Sequence, residues 1–573
     1  MTIVGMRAAA ALAAALLTLT ACTAPQPGRP PASSAAPSSS APSTSASPSP
    51  SNSAEASTTP DAEAESLLGQ HGVSAAHPAA VDAGMKILDQ GGNAADAAVA
   101  VAFAVAVVEP FASGIGGGGS AVLAEAGADP VAYDYREVVA NDGVIPDSGT
   151  GIPGFVSGLA RIHEDHGSLE WKALLAPAID LAENGFPITD FLALRMESDA
   201  GPAALDGLGQ FKAFAGIGLL KSGDELVQED LAATMRTLAD EGPEAFYTGS
   251  LVADLTKVDG IDAASLADYK PERLKPARGA FGEYDVVSVP PALPGPAVVQ
   301  LLQVAEGLGI ADSAPGSAPY VDRMTKAWSV ADSTVTEHFG DPRFVDVPVD
   351  RITDPDANAE LGDKAQASGA GAETGDTPQA GGPIEAGNTT HLTVVDSSGF
   401  TVSMTNTITN FWGGGKTESV GGFFLNNQLS RFASLDTPNN QPEPGRKSVS
   451  WAAPSLVMDG EDRVVMGLGS PGGHQIPNIL AGVLVPWALQ DAPLQEAIDS
   501  PRYHLQDGVL AVERDPSAGL TGFVDSKGWE LQRTQREEAV FGSVQALEID
   551  YETGKIIGAK DTRREADFAT AEP

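Results

Sequence analysis

The sequence predicts an α+β fold, with helical patterning through the first half of the chain and strands dominating after Thr389. Three observations carry that expectation. Pro78 to Leu88, Ala94 to Val108, Leu169 to Asn184 and Pro296 to Leu308 read as helices. His391 to Val395 and Phe400 to Ile408 are rich in β-branched and apolar residues and flank the turn cluster Asp396-Ser397-Ser398-Gly399, the pattern of a β-hairpin. Val464 to Leu468 is a short apolar run that ends in Gly469-Ser470-Pro471-Gly472-Gly473, a strand followed by a tight turn.

At the chain start, Arg7 precedes the apolar run Ala8 to Leu19, and Leu19-Thr20-Ala21-Cys22 fits a bacterial lipobox. Residues 1–21 are therefore expected to be a lipoprotein signal peptide, with Cys22 lipidated. This implies an exported protein held to the extracytoplasmic membrane face by its lipid anchor alone. Cys22 is the only cysteine, which excludes a disulfide within the chain, a cysteine metal cluster and a catalytic thiol. Residues 22–63 are almost wholly Ala, Ser, Pro and Thr, with no periodicity from which to build a core. They form a tether of roughly 35 Å if coiled.

Further along, Ala97 to Val108 is too short to cross a bilayer and is bounded by Asp96 and Glu109, so a buried helix is expected. Gly114 to Gly119 satisfies G-x-G-x-x-G formally. It follows a helix and precedes a strand, however, the reverse of the order that cradles a pyrophosphate. His163 and His166 sit in a polar patch and read as a solvated helix end rather than a metal pair, and no metal or other cofactor is expected. Asp354 to Gly387 is acidic and glycine-rich and reads as a mobile tail. The net charge of −42 opposes nucleic-acid binding and adhesion to anionic lipid.

The chemistry concentrates at Asn388-Thr389-Thr390-His391. A threonine hydroxyl is a weak nucleophile, and a base held within hydrogen-bond reach activates it. Scission before Thr389 would supply that base on the same residue, as an α-amine with an unperturbed pKa of roughly 7.7–8.0. With Ser397-Ser398-Gly399 as the loop, the hairpin register places Thr389 opposite Thr407, their Cβ atoms about 4.5–5.5 Å apart. A two-residue loop would put Asn406 there instead. Gly472 and Gly473 are candidates for turning backbone N–H groups toward an anionic oxygen. His391 and His474 read as supporting groups.

These residues belong to a longer series of ordered matches: Gly91-Gly92-Asn93-Ala94-Ala95-Asp96, Val108-Glu109-Pro110, Ser113-Gly114-Ile115-Gly116-Gly117-Gly118-Gly119, Asp134-Tyr135-Arg136-Glu137, Gly151-Ile152-Pro153-Gly154, Leu425-Asn426-Asn427-Gln428 and Ser470-Pro471-Gly472-Gly473. From about Gln70 to Lys555 the chain resembles the γ-glutamyltranspeptidases, N-terminal-nucleophile hydrolases whose relatives include certain cephalosporin acylases. The resemblance implies a four-layer αββα sandwich and self-cleavage between Asn388 and Thr389. Residues 64–388 would form a large subunit and 389–573 a small one that stay associated. It implies Thr389 as nucleophile, Thr407 as its hydroxyl partner, Gly472 and Gly473 as the oxyanion hole, Arg136 on the substrate carboxylate and Gln428 on the glutamyl amine.

Three departures bear on the substrate. Arg431 stands where the family usually has the aspartate that pairs with the α-ammonium, Ser450-Trp451 replaces a common Ser-Ser pair, and Thr409 replaces a usual asparagine. The expected activity is cleavage of γ-glutamyl amides through an acyl-enzyme on Thr389, with transfer to water or amino acids. The alternatives are a glutaryl or cephalosporin-type acylase on the same scaffold and a catalytically silent envelope binding protein. Asp436, or a shifted loop, is a possible replacement for the missing carboxylate.

Overall fold

The computed structural model describes residues 67–198, 200–213, 218–368, 388–414 and 420–573. The expected signal segment, Cys22, the expected tether and residues 369–387 of the acidic stretch lie outside them. Among the described residues no helix is long and apolar enough to cross a membrane.

Two antiparallel sheets form the centre. The seven-stranded sheet runs in the order Asp567–Ala571, His71–Ala75, Thr390–Val395, Thr401–Thr407, Gly118–Ala124, Val131–Asp134 and Glu272–Leu274. The six-stranded sheet runs Lys555–Gly558, Gln545–Asp550, Val464–Gly469, Ser455–Met458, Tyr284–Ser288 and Ala277–Phe281. The central hairpin of the first sheet joins Thr390–Val395 to Thr401–Thr407, with Val395 opposite Thr401 and Asn406 opposite Thr390. This is the three-residue-loop register; the Asn406 alternative is excluded. Gly399 closes the loop at φ +83°, where a side chain would be strained.

Alternation along these strands builds the layers. Leu392, Val394, Val402 and Met404 face outward into a core with helices Pro78–Asp89, Ala94–Val108 and Trp171–Asn184. The opposite face meets the second sheet, where Val122, Ala132 and Val395 pack on Val287, Leu456 and Leu547. On the far side, Val286, Val457, Met466 and Leu468 pack against helices Gly295–Gly307, Ala318–His338 and Ile476–Gln490. The result is the four-layer αββα sandwich.

Helix Ala94–Val108 is buried along its whole length, as its apolar sequence requires. Asn93 caps it by accepting from the N–H groups of Ala95 and Asp96, and each buried valine contributes about 1.5–3 kcal/mol. Its start is tied to the hairpin turn, because Asp396 accepts from Ala94 N at 3.0 Å and from Ser398 N at 2.9 Å. The run Gly114 to Gly119 serves close packing: a Cβ on Gly117 would lie 2.2 Å from the carbonyl oxygen of Thr407.

One expectation needs correction. The acidic stretch is not a tail throughout, because Pro355–Ser368 forms a helix. Asp354 caps it through Ala357 N at 2.8 Å. The buried amide of Asn358 bonds to Gln300, Gln303 and the carbonyl of Ile352, which fixes the segment on helix Gly295–Gly307. Low hydrophobicity hid a segment held by polar contacts.

Candidate active site

The odd-numbered hairpin residues point into the gap between the sheets, and at one end that gap is polar. His391 bonds through Nδ1 to Thr405 Oγ1 at 2.8 Å and through Nε2 to Thr393 Oγ1 at 3.2 Å. Burial pushes its pKa down to about 3, so it is a neutral, structural group. Thr389 continues the same face and is itself buried.

The peptide bond before Thr389 sits in a tight polar cradle. Thr389 Oγ1 donates to the Asn388 carbonyl oxygen at 2.6 Å, and Thr407 Oγ1 donates to the same oxygen at 2.7 Å. The two hydroxyl oxygens are 3.4 Å apart. Thr409 N donates to Thr407 Oγ1 at 2.8 Å, which leaves the Thr407 hydrogen free to point at the carbonyl. Asn388 is fixed by its N–H on the Thr409 carbonyl at 3.2 Å and by its side-chain amide on the Phe111 carbonyl.

Thr409 adopts φ +84°, a rare conformation for a β-branched residue that costs on the order of 1–3 kcal/mol. Its surroundings hold it there. Besides its backbone bonds, its hydroxyl donates to Gln428 Oε1 at 2.7 Å. Gln428 Nε2 donates to Ser448 Oγ at 3.0 Å, and the Ser448 carbonyl accepts from Arg136 Nη1 at 2.7 Å. A continuous hydrogen-bonded chain thus runs from Thr407 to Arg136.

Arg136 is also clamped to Asp134, by Nε at 3.0 Å and Nη2 at 2.7 Å. Burial alone would raise the Asp134 carboxyl, but Arg136 and Lys447 hold it below the ordinary carboxylate range. Three of the five guanidinium N–H groups are engaged in these bonds, and two are not.

Arg431 begins the short helix Arg431–Ser434 and lines a cavity with Asp332, Asp436, Trp451 and His474. Asp332 bonds to His474 Nε2 at 2.9 Å, and Asp436 accepts from Gln441 at 2.7 Å. The Trp451 ring centre lies 4.4 Å from that of His474. The neighbouring Ser450 donates its N–H to the Ala292 carbonyl at 3.3 Å. The cavity therefore holds carboxylates as well as the unexpected cation.

Gly472 and Gly473 have φ +139° and +56° and form the turn between strand Val464–Gly469 and helix Ile476–Gln490. Only glycine accepts such a pair without strain. The strand crosses the hairpin closely, Gly467 against Thr393 and Thr401, and Gly469 against the His391 ring. A Cβ on Gly472 would meet Ile479 at 2.7 Å, so the turn packs against the helix that follows it.

Sequence reasoning missed Ser448 and Asp134, although Asp134 belongs to the Asp-Tyr-Arg-Glu match. It also missed Arg564, whose Nη1 donates to the Thr389 carbonyl at 3.3 Å from 175 residues away. His163 and His166 bind different partners, the first the Leu169 carbonyl and the second Glu125 and Tyr133.

A family model for gamma-glutamyltranspeptidase matches residues 80–571. The chain belongs to the γ-glutamyltranspeptidase family. It is similar to the capsule biosynthesis protein CapD proenzyme of Bacillus anthracis, with 36% identity over 497 residues that cover 87% of this chain and 90% of that one. The glutathione hydrolase proenzyme of Escherichia coli K12 is 31% identical over 529 residues, covering 86% and 90%. The acylase ACY 1 proenzyme of Pseudomonas sp. SE83 is 31% identical over 515 residues, covering 84% and 90%. The crystal structure of a cephalosporin acylase from Bacillus halodurans matches with a TM-score of 0.75 over 88% of this chain and 96% of that chain. At 22% identity that likeness establishes the shared fold. Membership in the family makes this chain an enzyme of the N-terminal-nucleophile hydrolase type.

Proposed function

We propose that the chain is a self-processing γ-glutamyl amidase and acyltransferase, acting on γ-glutamyl amides such as glutathione. The observation that carries this reading is the cradle around the Asn388 carbonyl, where the Thr389 hydroxyl sits 2.6 Å from the oxygen and Thr407 donates to it. In maturation, Thr389 Oγ adds to the Asn388 carbonyl carbon and loses its proton, while Thr407 stabilises the developing oxyanion. The C–N bond breaks as the nitrogen is protonated, giving an ester. Water then hydrolyses that ester, leaving a carboxylate on Asn388 and a free amine on Thr389.

In turnover the Thr389 amine takes the hydroxyl proton and Oγ attacks the substrate amide. The N–H groups of the Gly472-Gly473 turn stabilise the oxyanion, and the departing amine takes the proton. Arg136 offers its two open donors to the substrate carboxylate, and Gln428 helps hold the glutamyl amine. Water or an amino acid releases the acyl group in the second half-reaction.

N-terminal sequencing of the purified protein tests this reading. A small fragment beginning Thr389-Thr390-His391-Leu392, paired with a fragment ending at Asn388, supports it. An intact chain without amidase activity favours the silent binding protein.

A second reading, a glutaryl or cephalosporin-type acylase, is favoured by Arg431, because a cation in the acyl pocket disfavours an ammonium group. Asp332 and Asp436 in the same cavity argue for the first reading. Turnover of γ-glutamyl- against glutaryl-p-nitroanilide separates the two. Export and lipidation at Cys22 belong to the proposal on sequence grounds alone, and loss of acyl labelling on Cys22→Ala tests them.

A further inference from the structure

Two buried charges beside the nucleophile take no part in the mechanism above. Glu109 caps the C-terminus of helix Ala94–Val108, and Arg564 precedes the edge strand Asp567–Ala571. Each is 3% exposed. Arg564 Nη1 donates to the Thr389 carbonyl at 3.3 Å, while its Nε and Nη2 have no hydrogen-bond partner among the described residues. Its Cζ stands 5.3 Å from the centre of the Phe191 ring. Arg195 lies against that ring at 5.4 Å and against Phe411 at 4.7 Å, so two guanidiniums share one aromatic wall. Glu109 lies within electrostatic reach of Arg564, and its Oε2, like Thr390 Oγ1, has no hydrogen-bond partner among the described residues. Phe111, two residues on, anchors the Asn388 amide through its carbonyl. The helix end that carries Glu109 is thereby pinned to the scissile peptide bond.

A buried guanidinium with open donors costs stability, and its retained effect is a positive potential in a medium of low dielectric. We propose that Glu109 and Arg564 are a positioning pair for the nucleophile. Arg564 holds the Thr389 main chain by its carbonyl and keeps the amine created by scission unprotonated, and Glu109 tempers that field. A nearby cation favours the neutral form of an amine, and a nearby carboxylate favours the charged form.

The other charges facing this region are Arg195 from helix Asp190–Glu197, and Glu565 and Asp561 from the segment of Arg564. Glu565 accepts from Phe191 N at 3.0 Å. His391, on the nucleophile's own strand, is neutral. Burial pushes Glu109 up to about 7 against the pull of Arg564, so its charge changes within the working pH range. Burial lowers Arg564 to about 10, which leaves it cationic there.

The inference rests on Thr389 being the N-terminal nucleophile. The test uses full-length wild type, Glu109→Gln, Arg564→Lys and Arg564→Gln. Scission is scored on denaturing gels, and kcat/KM is measured against pH with the faster p-nitroanilide, per mole of matured small subunit. The acidic limb reports the free enzyme's base. Glu109→Gln is expected to move that limb to lower pH by about half a unit or more, and Arg564→Gln to move it upward by a similar amount. Arg564→Lys is expected to keep it near wild type.

A purely structural role would lower the plateau and leave the limb in place. Limbs of wild type and Glu109→Gln that superimpose overturn the proposal. If Arg564→Gln does not mature, the Glu109→Gln and Arg564→Lys profiles decide it. If wild type is neither cleaved nor active, the N-terminal-nucleophile reading has failed, and this proposal with it.

Discussion

The hairpin that carries Thr389 and the cavity that carries Arg431 are built differently. The hairpin is rigid sheet, with its register pinned by a three-residue loop and its polar gap filled by Thr393, Ser403 and Thr405 hydrogen-bonded to His391, Ser403 also donating to the Leu468 carbonyl. The cavity is made of loop, short helix and the face of Ala318–His338, with carboxylates and a cation held by partial pairings. Bond-making geometry needs sub-ångström placement, and packed strands supply it. Substrate choice needs only complementary charge, which loops can change without disturbing the sheet. The difference explains how standard acyl-transfer machinery can sit beside an unusual pocket.

The hardest test of that contrast is Thr389→Ala. It should abolish scission and lower amidase activity by on the order of 10⁴–10⁶, seen as one band on a gel and no p-nitroaniline release. Thr407→Val keeps the side-chain shape and removes the donor to the Asn388 carbonyl. Maturation should slow by about 10²–10³, followed as the rate of band conversion, whereas an unchanged rate would remove Thr407 from the mechanism. On the cavity side, Arg431→Asp should leave scission intact and raise the γ-glutamyl-to-glutaryl ratio of kcat/KM by roughly tenfold to a hundredfold. If scission is lost as well, hairpin and cavity are not separable.

The smallest effect concerns stability. Because burial depresses His391 to about 3 from an ordinary 6.5, the unfolded chain takes up a proton below pH 6.5 that the folded chain refuses. Its contribution is therefore complete above pH 6.5 and is lost as pH falls toward 3, by about 1 kcal/mol per pH unit. In the uncleaved Thr389→Ala background, His391→Gln should flatten the urea-unfolding free energy between pH 6 and 4 by that amount.

Much of the nucleophile end was legible in advance because its signals are local. Asp396 to Gly399 is a turn cluster between two β-branched runs, which left two registers; the three-residue loop of the fold is the one that aligns Thr389 with Thr407, their hydroxyl oxygens 3.4 Å apart. Ala94 to Val108 was legible for a related reason, since an uninterrupted apolar run bounded by an N-cap and an acid has to be buried. The helix Pro355–Ser368 was not legible, because it is held by an amide network with residues some fifty positions away.

The site divides in the same way. Arg136 was singled out through its motif, and Asp134 two residues before it clamps it locally, but its bond to the Ser448 carbonyl depends on a loop more than 300 residues distant. The same holds for Asp332, which no pattern associates with Arg431, whereas Asp436 was already the sequence candidate for the carboxylate missing there, and both line the cavity. Arg564 and Glu109 are far apart in the sequence and come within electrostatic reach because the edge strand Asp567–Ala571 pairs with His71–Ala75, which pairs with Thr390–Val395.

By itself the sequence determined the hairpin, the apolar helices and the residue types able to perform acyl transfer, and it narrowed the hairpin register to two choices. These follow from short-range periodicity and turn chemistry. The tertiary structure alone decided how the distant groups are paired: which carbonyl Arg136 reaches beyond its own motif, that Asp332 shares the cavity with Arg431 and which cation bonds to the Thr389 carbonyl. Coulomb interactions and desolvation act through space, and chain order does not encode proximity in space.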